Sequence, residues 1–181
     1  MKSENVLKFG ALAIVILMAG LCQVAPHPYG FSPITALALF GAAYYTRREF
    51  IYIVPLATMW ASDLYLNHAI LWTNYVAILL IAFLGTLLLK KITLMKLFGV
   101  TVLSSVVFFL ITNPGIGFYA NAGNFPTTLK GLLPCYIANL TSLRNILLGN
   151  YFFVFLSFGF YELFGKQLLH YLRILLISEK Y

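Results

Sequence analysis

Residues 70–89 read ILWTNYVAILLIAFLGTLLL, and residues 97–112 read LFGVTVLSSVVFFLIT. Both stretches are apolar almost throughout, and neither contains a lysine, arginine, aspartate or glutamate. A helix needs about 20 predominantly apolar residues to cross the hydrocarbon layer of a bilayer. A helix that is apolar on all sides is either buried in a protein core or faces lipid. The two stretches therefore predict membrane-spanning helices.

The whole chain has a similar composition. Of its 181 residues, 61% are hydrophobic and 9% are charged, whereas a typical soluble domain has about 25% charged residues. The mean hydropathy is +0.90. At about 20 residues per crossing, a chain of this length holds about six spans and no separate soluble domain. We therefore predict an all-α, polytopic membrane protein that forms a single membrane domain.

Prolines, glycines and charged residues divide the chain into six apolar segments. Two prolines and a glycine within residues 26–30 end the first segment, and Ser32 and Pro33 form an N-cap and first turn for the second. Pro55 predicts a kink in the third. Residues 166–181 form a basic amphipathic tail that predicts a surface helix. The predicted spans are residues 9–25, 33–46, 50–66, 70–89, 97–112 and 146–164.

Residues 113–143 differ in kind from the spans. They begin with Asn-Pro-Gly at 113–115, continue with Asn-Ala-Gly-Asn at 121–124, and remain half-polar from Thr127 to Leu143. A membrane permits irregular backbone only where the backbone lines a cavity or is buried in protein. We therefore predict an external or re-entrant segment, with the fifth helix ending at the Asn-Pro-Gly turn.

Positive charge sets the predicted orientation, because cytoplasmic loops carry an excess of lysine and arginine. With six spans, ten of the twelve basic residues share a side with both termini, and Lys130 and Arg144 lie opposite. A seventh span at residues 128–142 would change the count to eight against four. Six spans with cytoplasmic termini are therefore favoured. The ten residues are Lys2, Lys8, Arg47, Arg48, Lys90, Lys91, Lys96, Lys166, Arg173 and Lys180.

Polar side chains collect at the predicted external ends of the spans. Asp63 is the most informative, since an acid within an apolar span is costly unless it is paired or faces water. Three interpretations stay open: an ion pair with Arg144 or Lys130 that joins helices, direct contact with a ligand, and proton coupling. The candidate ligand-binding residues are Asp63, Asn67, Trp72, Asn113, Asn121, Asn124, Tyr136 and Arg144.

Other classes of function find little support in the chain. The basic residues are dispersed between apolar runs, which argues against a nucleic-acid partner. No motif for a nucleophile, a metalloprotease or an ATPase is present. His27 and His68 could join Asp63 in a metal site, but the two histidines lack close helical spacing. We predict no catalytic residues, no metal and no cofactor.

Small residues give the first two predicted spans narrow faces. Such faces allow close helix contact, either within the chain or against the helices of a partner. The candidates for partner docking are Gly10, Ala11, Ala36, Gly41 and Ala42.

The chain carries His27-Pro28, FSPITALALFGA at 31–42, Ser62-Asp63, FPTTLKGL at 125–132 and Cys135-Tyr136. This set resembles a family of bacterial inner-membrane proteins of unknown function, over about residues 26–165. More distantly, the layout is similar to the substrate-binding S components of energy-coupling-factor (ECF) transporters. That similarity implies cytoplasmic termini, an outward-facing pocket for a small ligand, and a face that docks a membrane coupling subunit.

Two functions follow as expectations. The first is a non-enzymatic module in the bacterial inner membrane that binds a small solute or takes part in its transport. The alternative is an accessory or structural subunit of a larger membrane complex. A cavity of about 300 Å³ or more that touches Asp63 or Asn113 would favour the first, and a solidly packed external half would favour the second.

Overall fold

The structure is a computed structural model that describes residues 22, 30–45, 47–67, 69–120 and 129–165. This part of the chain is helical and contains no strand. The first predicted span, except Cys22, and the amphipathic tail lie outside the described residues. The helices are α1 (Ile34–Tyr44), α2 (Arg48–Tyr65), α3 (Trp72–Leu88), α4 (Leu94–Ala120), α5 (Leu129–Ala138) and α6 (Leu140–Phe160), followed by a π-helical turn at Tyr161–Gly165.

Helix α1 lies at the centre of the bundle. It packs against α2, α3 and α6, and its residues from Ile34 to Gly41 are all buried. The sequence of α1 allows this because it has no polar stripe to turn toward solvent. Its 11 residues extend only about 16 Å at about 1.5 Å per residue. Helix α1, which occupies most of the predicted span 33–46, is therefore too short to cross the hydrocarbon layer by itself.

Among the described residues, two helical segments are long and apolar enough to cross a bilayer. They are Leu94–Pro114 in α4 and Leu140–Leu163 in α6 and the turn that follows it. The apolar helices α1 and α3 are shorter, and α2 contains Arg48, Glu49 and Asp63. The all-helical fold is therefore confirmed and membrane association is indicated, but six separate spans are not confirmed.

The Asn-Pro-Gly sequence does not end the fifth predicted span. Helix α4 continues to Ala120 with Pro114 inside it. Proline has no N–H to donate to the carbonyl group four residues earlier, which belongs to Leu110. Tyr136 Oη, on α5, donates a hydrogen bond of 2.8 Å to this carbonyl oxygen. A side chain from another helix thus replaces the missing backbone donor, so the helix can continue.

The rest of the predicted external or re-entrant segment also contains helix. Helix α5 occupies Leu129–Ala138, and α6 begins at Leu140, six residues before the predicted start at 146. Asn139 alone separates the two helices, and α5 packs against both α4 and α6. Of the polar residues that set this segment apart in the sequence, Asn113 lies within α4, Asn139 lies between α5 and α6, and Ser142 lies in the first turn of α6.

Close approach between helices depends on small residues. A Cβ atom added to Gly85 in α3 would lie only 2.7 Å from the Cβ atom of Ala42 in α1. Ala36 and Gly41 are buried within the protein's own bundle, and Ala42 is half-buried. Gly10 and Ala11 lie outside the described residues. Docking of a partner helix on these small residues stays a prediction.

Candidate functional site

A cavity of about 360 Å³ lies at one end of the bundle. It is surrounded by the residues before and within the first turn of α1, the last turns of α2, the start of α3, the C-terminal half of α4 and the first half of α6. Its apolar wall is formed by Ile34, Met59, Ile78, Phe108, Phe109 and Ile146. Its volume falls in the lower part of the range of about 300–1,000 Å³ that is typical of small-molecule sites.

The polar wall contains four asparagines, Asn74, Asn113, Asn139 and Asn150, from different parts of the bundle. Three of them take part in hydrogen bonds that join different parts of the bundle. Asn139 Nδ2 donates to Asn113 Oδ1 at 3.0 Å. Asn150 Nδ2 donates to Ser105 Oγ at 2.8 Å, and this hydroxyl in turn donates to the carbonyl oxygen of Thr101. The polar wall is therefore fixed in place by the helices that carry it.

Asn113 leaves one polar atom unused. Its side chain is 1% exposed, and its Nδ2 atom has no hydrogen-bond partner among the described atoms. A buried donor without a partner costs about 1–3 kcal/mol, so native proteins rarely leave one. Because Asn113 lines the cavity, its amide is suited to donate to an acceptor on a bound molecule.

Asp63 lies at the same cavity, near the end of α2. Its Oδ2 atom accepts a hydrogen bond of 2.8 Å from Tyr75 Oη in α3. The described partner of Asp63 is therefore Tyr75 and not Arg144, whose side chain is exposed. The side chain of Lys130, the other partner expected from the sequence, lies outside the described residues.

The structure brings two of the eight predicted ligand-binding residues, Asp63 and Asn113, to the described wall of the cavity. Asn67, Trp72 and Arg144 are exposed elsewhere. Tyr136 contacts α4, through its hydroxyl group to Leu110 and through an edge-to-face ring contact with Phe109. The remaining two, Asn121 and Asn124, lie outside the described residues.

The sequence prediction did not include Asn74, Asn139 or Asn150 among the site residues, although all three line the cavity. Asn150 had a recognisable signal, since it is an amide among the mainly apolar residues 146–160 of α6. Its partner Ser105 likewise interrupts the apolar sequence of α4. Pairs of such polar residues in different spans are a signal for interhelical contact that sequence analysis can use.

A metal site finds no support in the described part of the chain, where no group of three or more His, Cys, Asp or Glu residues lies together. His27 and His68 are not described, so the expectation that the protein binds no metal stays a prediction.

Comparison with curated proteins gives no match, and comparison with solved structures gives none either. The likeness to ECF S components therefore rests on the layout of the chain alone. A family model does match, over residues 3–172, which include the whole described bundle and its cavity. The chain therefore belongs to DUF6580, a family of unknown function.

Proposed function

We propose that the protein is an integral membrane protein that binds a small polar solute in the cavity, as a solute-binding or transport-related module. The observation that carries the proposal is a cavity of about 360 Å³ next to the carboxylate of Asp63 and to Asn113, whose Nδ2 atom has no hydrogen-bond partner among the described atoms. A purely structural subunit would be expected to fill this space with side chains, because protein interiors are closely packed.

The exposed surface supports the membrane part of the proposal. Large apolar side chains on α4 and α6 are exposed, among them Met95 at 82%, Phe98 at 52% and Phe152 at 55%. Soluble monomers rarely expose contiguous apolar patches larger than a few hundred Å². Contact of these apolar side chains with lipid chains has no hydrophobic cost, whereas their exposure to water is unfavourable.

The distribution of basic residues supports an outward-facing cavity. The turns at the end of the bundle away from the cavity carry Arg47, Arg48, Lys90 and Lys91, and Lys96 follows in the first turn of α4. By the positive-inside rule this end lies in the cytoplasm, so the cavity opens outward. Helix α6 runs from the cavity end toward this basic end, so the same assignment gives a cytoplasmic C-terminus. We propose a cytoplasmic N-terminus and a bacterial inner-membrane location from the sequence alone. Energised transport would then need a membrane coupling subunit, as in ECF transporters.

The proposal is tested by identifying small molecules that remain bound during purification. The full-length protein is purified from membranes in mild detergent, and the released compounds are analysed by mass spectrometry. Ser142 lines the cavity on α6, whereas the neighbouring Thr141 is exposed. Ser142→Phe should therefore fill the cavity and abolish retention of the solute, and Thr141→Phe should retain it.

Absence of any compound enriched over a detergent control would count against solute binding. So would a compound that the folded Ser142→Phe variant retains as well as the native protein does. Either result would make an accessory subunit of a larger membrane complex the better interpretation. Folding of both variants is checked by gel filtration and thermal unfolding.

A further inference from the structure

We propose that the cavity selects a small organic cation, such as a protonated amine or an amidinium group, whose charge is balanced by Asp63. This inference rests on the proposed function, because it requires that the cavity binds a solute. It adds the chemical class of that solute.

The charge of the cavity wall gives the first argument. Among the described lining residues, Asp63 is the one with an acidic or basic side chain. Arg144 is exposed and does not belong to the described lining. An anion would therefore meet a carboxylate with no basic side chain in that wall to offset it. In a low-dielectric environment a charge of this kind needs an opposite charge or water.

The hydrogen bond from Tyr75 gives the second argument. The hydroxyl group of Tyr75 donates to Oδ2, which orients the carboxylate, and no basic side chain among the described lining residues balances its charge. This hydrogen bond also leaves Oδ1 available to a donor from a ligand. A cationic N–H donor supplies both the opposite charge and the hydrogen bond, and such charge-assisted bonds are roughly twice as strong as neutral ones.

The aromatic and amide side chains of the cavity wall fit the uncharged part of an organic cation. The rings of Phe108 and Phe109 line the cavity, and an aromatic face attracts a nearby cation as well as an apolar group. The Nδ2 atom of Asn113, which has no partner among the described atoms, adds one donor. The wall therefore fits an organic cation with an apolar body and an acceptor, rather than a hydrated inorganic ion.

The test compares three molecules of nearly the same size that differ in charge: benzamidine, benzamide and benzoate. Binding of each to the full-length protein in detergent is measured by isothermal titration calorimetry. We expect benzamidine to bind at least about tenfold more tightly than benzamide, the difference typical of one charged hydrogen bond. We expect no measurable binding of benzoate. This comparison uses the native protein and does not depend on the folding of any variant.

Two acid-to-amide substitutions locate the selectivity. Asp63→Asn should weaken benzamidine binding by about tenfold or more and change benzamide binding little. Glu162→Gln is the matched control, because Glu162 also accepts a hydrogen bond from a tyrosine, Tyr44, at 3.0 Å, but does not line the cavity. It should leave the binding of all three molecules unchanged.

The inference is overturned if benzoate or benzamide binds the native protein as tightly as benzamidine does. It is also overturned if none of the three molecules binds the native protein. An undiminished preference for benzamidine in a folded Asp63→Asn variant overturns it as well. The proposed function fails separately, when no solute co-purifies with the protein. Retention of an anionic or neutral solute would therefore reject the ligand class and keep the solute-binding function.

Discussion

At Gly85 the backbones of α1 and α3 come so close that a methyl group has no room. A Cβ atom there would lie 2.7 Å from Ala42 Cβ and 3.3 Å from Leu39 Cδ2. The Cβ atom of Ala42 cannot rotate away, so Gly85→Ala must push the helices apart. We expect the free energy of unfolding to fall by about 1–3 kcal/mol, as in other overpacked cores.

Gly99→Ala provides the control for this substitution. Gly99 is also helical, but a Cβ atom there has no atom of the described residues within 4 Å. Because alanine favours helix over glycine by about 1 kcal/mol, Gly99→Ala should leave the stability unchanged or raise it. Thermal unfolding of both variants in the same detergent measures the difference. Equal destabilisation by the two substitutions would show that α1 and α3 do not pack as the structure places them.

The role of Asp63 at the cavity could be predicted from the sequence only in part. The sequence identifies Asp63 as a site residue because an acid in an apolar span is unusual, and the structure places it at the cavity. One interpretation gave it a basic partner, Arg144 or Lys130, whereas its partner among the described residues is Tyr75. Arg144 is exposed, and the side chain of Lys130 lies outside the described residues. The turn between α2 and α3 folds α3 back beside α2, which brings residues 63 and 75 together. An argument from charge alone considers only ionised partners and misses a neutral hydroxyl donor.

At the scale of one helix, the continuation of α4 past Pro114 depends on Tyr136 of α5. Tyr136→Phe leaves the carbonyl oxygen of Leu110 without that donor, so we expect a loss of about 1–2 kcal/mol of stability. Pro114→Ala restores an N–H group that can bond to the same oxygen. In the Pro114→Ala protein, Tyr136→Phe should therefore lower the stability less than it does in the native protein. The expected coupling energy between the two substitutions is about 1 kcal/mol.

A second tyrosine serves as the control for this double-mutant cycle of Tyr136→Phe and Pro114→Ala. Tyr151 Oη is buried and has no hydrogen-bond partner among the described atoms, so Tyr151→Phe removes no such bond. It should be neutral or slightly stabilising. Stabilities are measured by unfolding in detergent with increasing sodium dodecyl sulfate. Additive effects of Tyr136→Phe and Pro114→Ala would mean that the tyrosine does not replace the missing backbone donor.

The elements show where sequence rules reach their limit. The long apolar runs predict α3 and α4 well, because the pattern within each run is sufficient to indicate a helix. The rule that proline ends a helix is wrong at Pro114, since the donor that replaces its N–H comes from residue 136. The length of α1 was overestimated because its apolar sequence suits the centre of a protein as well as a lipid layer.

At the scale of the whole molecule, composition predicts an all-helical protein and the structure confirms it. The resemblance to a family of unknown function agrees with the match to DUF6580. The number of spans was not predictable from hydropathy, because a helix buried in a bundle and a helix in lipid have similar sequences. The cavity depends on how the helices are rotated and how far apart they lie, and the local pattern of apolar and polar residues indicates neither quantity.

The orientation of the bundle can be tested with two cysteines at opposite ends of α3. Ile70 precedes α3 at the cavity end and Ile92 follows it at the other end, and both are exposed. Cys22 and Cys135 are first replaced by serine. In intact cells, a maleimide that cannot cross membranes should then label Ile70→Cys, and should label Ile92→Cys only after permeabilisation. We expect this pattern because the basic residues lie at the Ile92 end of the bundle, which the positive-inside rule places in the cytoplasm.

The opposite labelling pattern would turn the cavity toward the cytoplasm and exclude capture of a solute from outside. Labelling of both cysteines in intact cells would show that α3 does not cross the membrane, although its 17 residues reach the lower limit of about 17 for a spanning helix. Only the expected pattern combines a crossing α3 with a cavity that opens to the outside of the cell. The orientation therefore decides whether Asp63 can select a cation that arrives from outside the cell.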